Sequence, residues 1–150
     1  MLSASIYVVL SPTRRRWLRL HATIASAVAV GGAVGGLLRH GLVLAFPYTP
    51  GQVPYVILTI NVVGAFVLGA GGRWLVHTYP EHRLVRYALT TGLMGAFTTF
   101  STYALDAVHL ADAGAQAAAL GYVAASLLVG LLAAGLGLAT AERLLNAHTS

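Results

Sequence analysis

Residues 53–72 read VPYVILTINVVGAFVLGAGG and contain no charged side chain. A helix of about 20 apolar residues, rising about 1.5 Å per residue, matches the hydrocarbon thickness of a bilayer. Uncharged or nearly uncharged runs also cover residues 22–46, 87–105 and 113–141. We therefore expect an all-α integral membrane protein with four transmembrane helices, at about residues 22–46, 53–77, 86–107 and 113–141.

The composition of the whole chain agrees with this expectation. Its 150 residues are 57% hydrophobic and only 9% charged, whereas a soluble domain draws roughly a quarter of its residues from Asp, Glu, Lys and Arg. The absence of cysteine excludes disulfides, thiolate metal sites and cysteine nucleophiles. The net charge of +5 comes from arginines that flank the apolar runs, which indicates membrane topology rather than nucleic-acid binding.

The chain divides into a membrane domain and two short ends. Residues 21–146 hold the four predicted helices, and residues 147–150 form a tail. Residues 1–20 are expected to be a disordered or interfacial leader, because their apolar stretch is too short to span a bilayer and precedes its arginines. A cleaved signal would have the opposite order.

The arginines are distributed unequally between the two sides of the predicted bundle. One side carries Arg14, Arg15, Arg16, Arg19, Arg73, Arg83, Arg86 and Arg143, and the other carries Arg39. The positive-inside rule therefore predicts that both termini are cytoplasmic, in a multi-pass protein of the cell inner (plasma) membrane.

Asn61 stands near the middle of the second predicted span. Its amide has several hydrogen-bonding sites that lipid cannot satisfy, so it must face protein or water. A hydrogen bond to a neighbouring helix and a role in an aqueous path are both compatible with this position.

The third span has an unusual composition. Residues 92–103 read GLMGAFTTFSTY, with glycines and hydroxyls where a lipid-facing helix would carry leucine. Hydroxyls can satisfy backbone groups that a helix break releases, so this pattern predicts a helix broken near mid-membrane, around residues 95–98. A packing face made of small residues is the alternative.

Other polar and small residues add detail. Tyr122 and Ser126 are four residues apart and share one helix face. Each histidine and each acidic residue falls near a span end or in a loop, including Asp106 and Asp112 at the ends of a short predicted link. Close approach of the first helix to a neighbour is expected at four glycines: Gly31, Gly32, Gly35 and Gly36.

Together these motifs resemble the bacterial fluoride-exporting channels called Fluc or CrcB. The resemblance covers about residues 28–140. It rests on GGAVGGLLR at 31–39, NVVGAFVLG at 61–69, GAFTTFST at 95–102, and the pair Tyr122 and Ser126.

The resemblance implies an antiparallel, dual-topology dimer with two fluoride pores lined by both subunits. It implies pore or fluoride-contacting roles for Asn61, Thr99, Phe100, Tyr103, Tyr122 and Ser126. It also implies that Arg39 lies in the vestibule, and that backbone carbonyls of Gly95 and Thr98 hold a structural sodium ion (Na⁺) at the dimer centre. The implied function is passive fluoride export, which lowers cytoplasmic fluoride.

The sequence departs from the family pattern at several positions. Tyr103 stands where the family usually has phenylalanine, Val56 and Ile57 replace a Gly-Thr pair, and His40 replaces a tyrosine. The arginine bias favours one fixed orientation, so the partner is either a second copy or an oppositely oriented homologue.

Two other functions fit four short spans. A small dimeric proton-coupled exporter would need a mid-span glutamate, and the sequence has none. A non-conducting membrane assembly subunit would use the same glycines and hydroxyls for packing alone. An enzyme is not expected, because no nucleophile, base and orienting acid converge within the spans.

Overall fold

The computed structural model describes residues 12–147, and every regular element in that range is helical. Helix α1 spans Pro12–Ala45, α2 spans Tyr55–Thr78, α4 spans Phe100–Asp112 and α5 spans Gln116–Ala147. Helix α3, residues 83–97, consists of an α-helical turn Arg83–Tyr87, a π-helical segment Ala88–Met94 and a last turn Gly95–Phe97. The predicted all-α class is confirmed.

Three of these helices are long and apolar enough to cross a membrane: most of α1, α2 and α5. Helices α3 and α4 are each shorter, and together they occupy the third predicted span. Large apolar side chains are exposed on the outside of the bundle, including Leu37, Leu131 and Leu132. A surface of this kind is suited to lipid rather than water.

Several helix boundaries differ from the prediction, and α5 ends at Ala147 rather than near residue 141. Helix α1 begins at Pro12 rather than near residue 22, so residues 12–21 extend it; proline is well suited to a first helical turn. Helix α4 continues to Asp112, so the predicted link at residues 106–112 is wrong, and the actual turn covers residues 113–115. Gly114 makes this turn possible because its φ is +79°. The predicted leader residues 1–11 and tail residues 148–150 lie outside the described range.

Glycines bring α1 and α3 into backbone contact. A methyl group added to Gly31 would overlap the carbonyl of Ala88, and one added to Gly35 would overlap the carbonyl of Leu93. The predicted close approach is therefore confirmed at these two positions. At Gly36 no atom lies within 4 Å of such a methyl group, so that glycine does not serve this contact.

Helices α2 and α5 form a second extensive contact of the bundle. A methyl group at Gly69 would overlap the Ala134 carbonyl, and one at Gly137 would overlap the Phe66 carbonyl. This pair of glycines, one on each helix, fixes α2 and α5 at short distance. The faces that carry Asn61 and Ser126 are positioned by this contact.

The helical backbone is interrupted between α3 and α4. Thr98 has φ −76° and ψ 159°, and Thr99 has φ −146° and ψ 124°, so both residues are extended. The interruption falls at residues 98–99, whereas Gly95 still belongs to the last turn of α3. Two extended residues redirect the chain and expose backbone groups that a continuous helix would pair.

Candidate functional site

Asn61 on α2 binds both backbone groups of Thr99 at the interruption. Its Nδ2 donates to the Thr99 carbonyl over 3.0 Å, and its Oδ1 accepts from the Thr99 amide over 2.8 Å. A primary amide has two N–H donors and two lone pairs on its oxygen. One donor and one lone pair of Asn61 therefore remain for another partner.

The interruption leaves two backbone carbonyls without the amide donors that they would have in a continuous helix. In a continuous helix the Thr99 amide would bond the Gly95 carbonyl, and the Thr102 amide would bond the Thr98 carbonyl. Instead the Thr99 amide donates to Asn61, and the Thr102 amide donates to the Thr99 hydroxyl over 3.2 Å. The carbonyls of Gly95 and Thr98 thus lose their usual helical donors.

The hydroxyls at the interruption are held in place by local hydrogen bonds. Thr99 Oγ1 donates to Thr102 Oγ1 over 3.0 Å and caps the first turn of α4. Thr98 Oγ1 donates back to the Met94 carbonyl over 3.0 Å. Both threonine side chains therefore stabilise the ends of the two helices, which is the role that hydroxyls beside a break are expected to have.

A cleft of about 320 Å³ lies beside the interruption. Its walls come from α2, α5 and residues 98–103, and its lining includes Asn61, Thr98, Thr99, Phe100, Tyr103 and Ser126. Five of the six predicted pore residues line this cleft. Arg39 and Gly95 are not part of its lining.

An aromatic series leads away from the cleft. The Phe100 ring is exposed, with an exposed fraction of 78%, and its centroid lies 5.7 Å from that of Tyr103. Tyr103 is buried, and its ring lies 5.4 Å from that of Tyr122. The sixth predicted pore residue, Tyr122, therefore lies behind Tyr103 and not in the lining of the cleft.

Two buried hydroxyls on α5 have unused hydrogen-bonding capacity. Neither Tyr122 Oη nor Ser126 Oγ has a hydrogen-bond partner among residues 12–147. Leaving a buried polar group unpaired costs about 1–3 kcal/mol, so such groups usually serve a ligand, water or function. These hydroxyls, with the free N–H of Asn61, give this region donors that an anion could accept from.

Arg39 on α1 contacts the C-terminal turn of α3. Its Nε donates to the Ala96 carbonyl over 3.1 Å, and the residue is half-buried. A positive side chain near the last carbonyls of a helix is favourable, because the helix dipole is negative there. The structure thus places Arg39 against the turn that precedes Thr98.

Asp106 is a buried residue that the sequence analysis misplaced. It lies inside α4 with an exposed fraction of 6%, and the Tyr48 hydroxyl donates to its two carboxylate oxygens over 3.1 and 3.0 Å. Burial, and secondly this carboxylate, raise the pKa of Tyr48 to about 12. No periodic pattern signals this contact, because Tyr48 belongs to the loop between α1 and α2.

Comparisons with known proteins agree on one family. The sequence model of the family described as CrcB-like protein, Camphor Resistance (CrcB), matches residues 26–138. The fluoride-specific ion channel FluC 2 of Streptomyces avermitilis is 43% identical over 121 residues, covering 79% of this chain and 76% of that protein. FluC 2 of Nocardia farcinica is 38% identical over 123 residues, covering 82% of this chain and 88% of that protein.

Streptomyces avermitilis has a second similar channel. The fluoride-specific ion channel FluC 3 of Streptomyces avermitilis is 41% identical over 121 residues, covering 81% of this chain and 59% of that protein. The relatives' names describe ion channels.

Proposed function

The chain belongs to the CrcB family, and from this membership we propose that it forms a fluoride-selective channel that lowers cytoplasmic fluoride by passive export. The names of its relatives support the fluoride channel and not an enzyme. The observation that carries the proposal is the pair of buried, unpaired hydroxyls on α5, Tyr122 Oη and Ser126 Oγ, beside a cleft that also contains Asn61.

Fluoride is small and strongly hydrated, so a path for it must replace water with fixed donors. The free N–H of Asn61 and the hydroxyls of Ser126 and Tyr122 are such donors. The rings of Phe100 and Tyr103 offer positively polarised edges along the same route. Each of these sites alone binds the anion weakly, which lets it leave as well as enter.

Thr99 has a positioning role in this proposal. Its carbonyl accepts from the Asn61 amide and its own amide donates to Asn61 Oδ1, so it holds the side chain of Asn61 with one N–H left for the anion. Arg39 adds a fixed positive charge at the end of α3, where it attracts anions toward the path. Antiparallel dimerisation would bring the exposed Phe100 ring of each subunit to the path of the other.

A structural sodium ion at the dimer centre is part of the proposal. Carbonyl oxygens are suitable ligands for a hard cation, and the Gly95 and Thr98 carbonyls have lost their usual helical donors. Bound there, the ion would supply positive potential and hold the crossing helices together. The residues present therefore fit the ion, and the two threonine amides that bond elsewhere keep these carbonyls available.

The partner in the dimer is either a second copy or an oppositely oriented homologue. The arginine bias supports a fixed orientation of this chain with its termini in the cytoplasm. Labelling of both termini from each side of the plasma membrane distinguishes the two, since equal labelling from both sides supports the homodimer.

Fluoride efflux from liposomes that contain this chain alone tests the proposal. We expect efflux above that of empty liposomes in sodium buffer, and loss of efflux in Phe100→Ala and Asn61→Leu variants that still dimerise. No efflux from the wild-type chain, either alone or with a homologous partner, would refute the proposal. A loss of dimerisation that always accompanies the loss of efflux would support the non-conducting assembly subunit instead.

A further inference from the structure

Helix α1 is longer than a bilayer requires. Its 34 residues extend about 51 Å at about 1.5 Å per residue, whereas a hydrocarbon core is about 30 Å thick. Its close backbone contacts with α3 involve Val28, Gly31 and Gly35. Residues 14–21 precede these contacts, and all of them are exposed. The N-terminal turns of α1 therefore project beyond the packed part of the bundle.

These turns carry several arginines and an aromatic pair. Arg15 and Arg19 are four residues apart and lie together on one side of the helix, with Arg16 beside them. On the other side the rings of Trp17 and His21 are stacked, with centroids 3.8 Å apart, and His21 Nδ1 is 2.8 Å from the Trp17 carbonyl oxygen. Arginines beside an exposed tryptophan are typical of helix ends at a membrane interface.

The sequence around these arginines contains no acidic residue. The first acidic residue in the sequence is Glu81, and the first turn of α1 contains none. Among residues 12–147, Arg73 on α2 forms an ion pair with Glu142 on α5. The side chains of Arg15, Arg16 and Arg19 are therefore accessible to anions from outside the helix.

We propose that residues 14–21 form a binding surface for anionic phospholipid headgroups. The guanidinium groups of Arg15, Arg16 and Arg19 bind lipid phosphates, for which their planar, multidentate donors are suited. The exposed rings and side chains of Trp17 and Leu20 lie at the boundary with the acyl chains, where tryptophan is favoured. The family match begins at residue 26, so this surface lies outside the part that the match covers.

Lipid binding at this surface would favour the orientation of the chain that has its N-terminus in the cytoplasm. Anionic lipids give the cytoplasmic leaflet a negative surface potential, which attracts basic segments next to a membrane helix. Lipid binding by residues 14–21 holds the start of α1 at that leaflet. This effect does not depend on fluoride conduction, and its test uses a separate measurement.

Tryptophan fluorescence reports directly on this segment. The chain has two tryptophans, so Trp74→Phe leaves Trp17 as the single emitter, and Phe can preserve the ring contact with Tyr79. The full-length variant is reconstituted in phosphatidylcholine vesicles with a fixed small fraction of phosphatidylglycerol. Brominated acyl chains are placed either on the phosphatidylglycerol or on an equal mole fraction of the phosphatidylcholine. We expect at least twofold stronger quenching by the brominated anionic lipid.

Matched variants assign the preference to the proposed face. Arg15→Gln with Arg19→Gln is expected to abolish the preference, and Arg15→Lys with Arg19→Lys to retain most of it. The control Arg83→Gln with Arg143→Gln removes two exposed arginines elsewhere and is expected to keep the preference. Equal quenching by the two brominated lipids, water-like emission that neither lipid quenches, or an equal loss in the control would each overturn the proposal.

Discussion

Asn61 and Thr99 are 38 positions apart in the sequence, yet the side-chain amide of the first binds both backbone groups of the second. One residue of α2 thereby satisfies an amide and a carbonyl at the interruption between α3 and α4. The contact gives Asn61 a structural role in addition to its proposed role toward fluoride. Substitutions at this position must be designed to separate the two roles.

Asn61→Asp affects both roles, and they are separated by measuring stability and efflux independently. The aspartate retains an acceptor for the Thr99 amide but loses the donor to the Thr99 carbonyl and introduces a negative charge beside the cleft. We expect fluoride efflux to fall to the level of empty liposomes, and unfolding in detergent to become easier by about 1–3 kcal/mol. The control is Thr140→Ala, because the Thr140 hydroxyl bonds only the Leu136 carbonyl of its own helix. Unchanged efflux in the aspartate variant would contradict the proposed path.

Ser126→Ala is expected to lower efflux without a loss of stability. Its hydroxyl is buried without a partner, so its removal costs the folded protein no hydrogen bond. We expect stability to be unchanged or slightly higher while fluoride efflux falls several-fold. Ser26→Ala is the matched control, since that hydroxyl is exposed and bonds the Ala22 carbonyl. Normal efflux from the Ser126 variant would remove this hydroxyl from the path.

Tyr48→Phe tests the contact with Asp106. The change leaves a buried carboxylate without its hydroxyl donor, and we expect a loss of about 1–3 kcal/mol in the free energy of unfolding. Asp106→Asn should cost less, because an amide oxygen still accepts from Tyr48. If the phenylalanine variant is as stable as the wild type, the contact contributes nothing to the fold.

The same tyrosine predicts a pH dependence at the alkaline end. The pKa of Tyr48 is raised from 10.0 to about 12 in the folded chain, so folding favours the protonated phenol. Its contribution is complete below pH 10 and is lost as the pH rises from 10 toward 12. Unfolding measured across this range should show a steeper loss for the wild type than for Tyr48→Phe. Identical slopes for the two proteins would contradict the raised pKa.

Gly35→Ala tests the backbone contact between α1 and α3. The added methyl group would overlap the Leu93 carbonyl, and backbone cannot move aside without separating the helices. We expect a loss of at least about 1–3 kcal/mol in stability, measured by unfolding in detergent. Gly41→Ala on the same helix is the control, because no atom lies within 4 Å of its added methyl group. Equal stability of the two variants would argue against the tight contact.

Much of this architecture could be predicted from the sequence, for identifiable physical reasons. The length of the uncharged runs predicts where the membrane helices lie. Gly31 and Gly35 indicate close packing, because a larger residue would overlap the backbone of α3. The residues gathered at the cleft were predicted from their motifs. The Asp106 contact was not, because it joins a helix to a loop residue, Tyr48, without any periodic pattern.

The interruption at Thr98 and Thr99 also has a consequence for assembly. The amide and carbonyl of Thr99 are satisfied there by Asn61, which belongs to a helix made earlier in the chain. Residues 83–112 alone have no such partner, and in lipid an isolated segment keeps its backbone bonds within itself. The segment would therefore insert as an unbroken helix and open only when it docks on α2. The kink is a product of tertiary assembly, so the same step that completes the bundle also creates its polar interior.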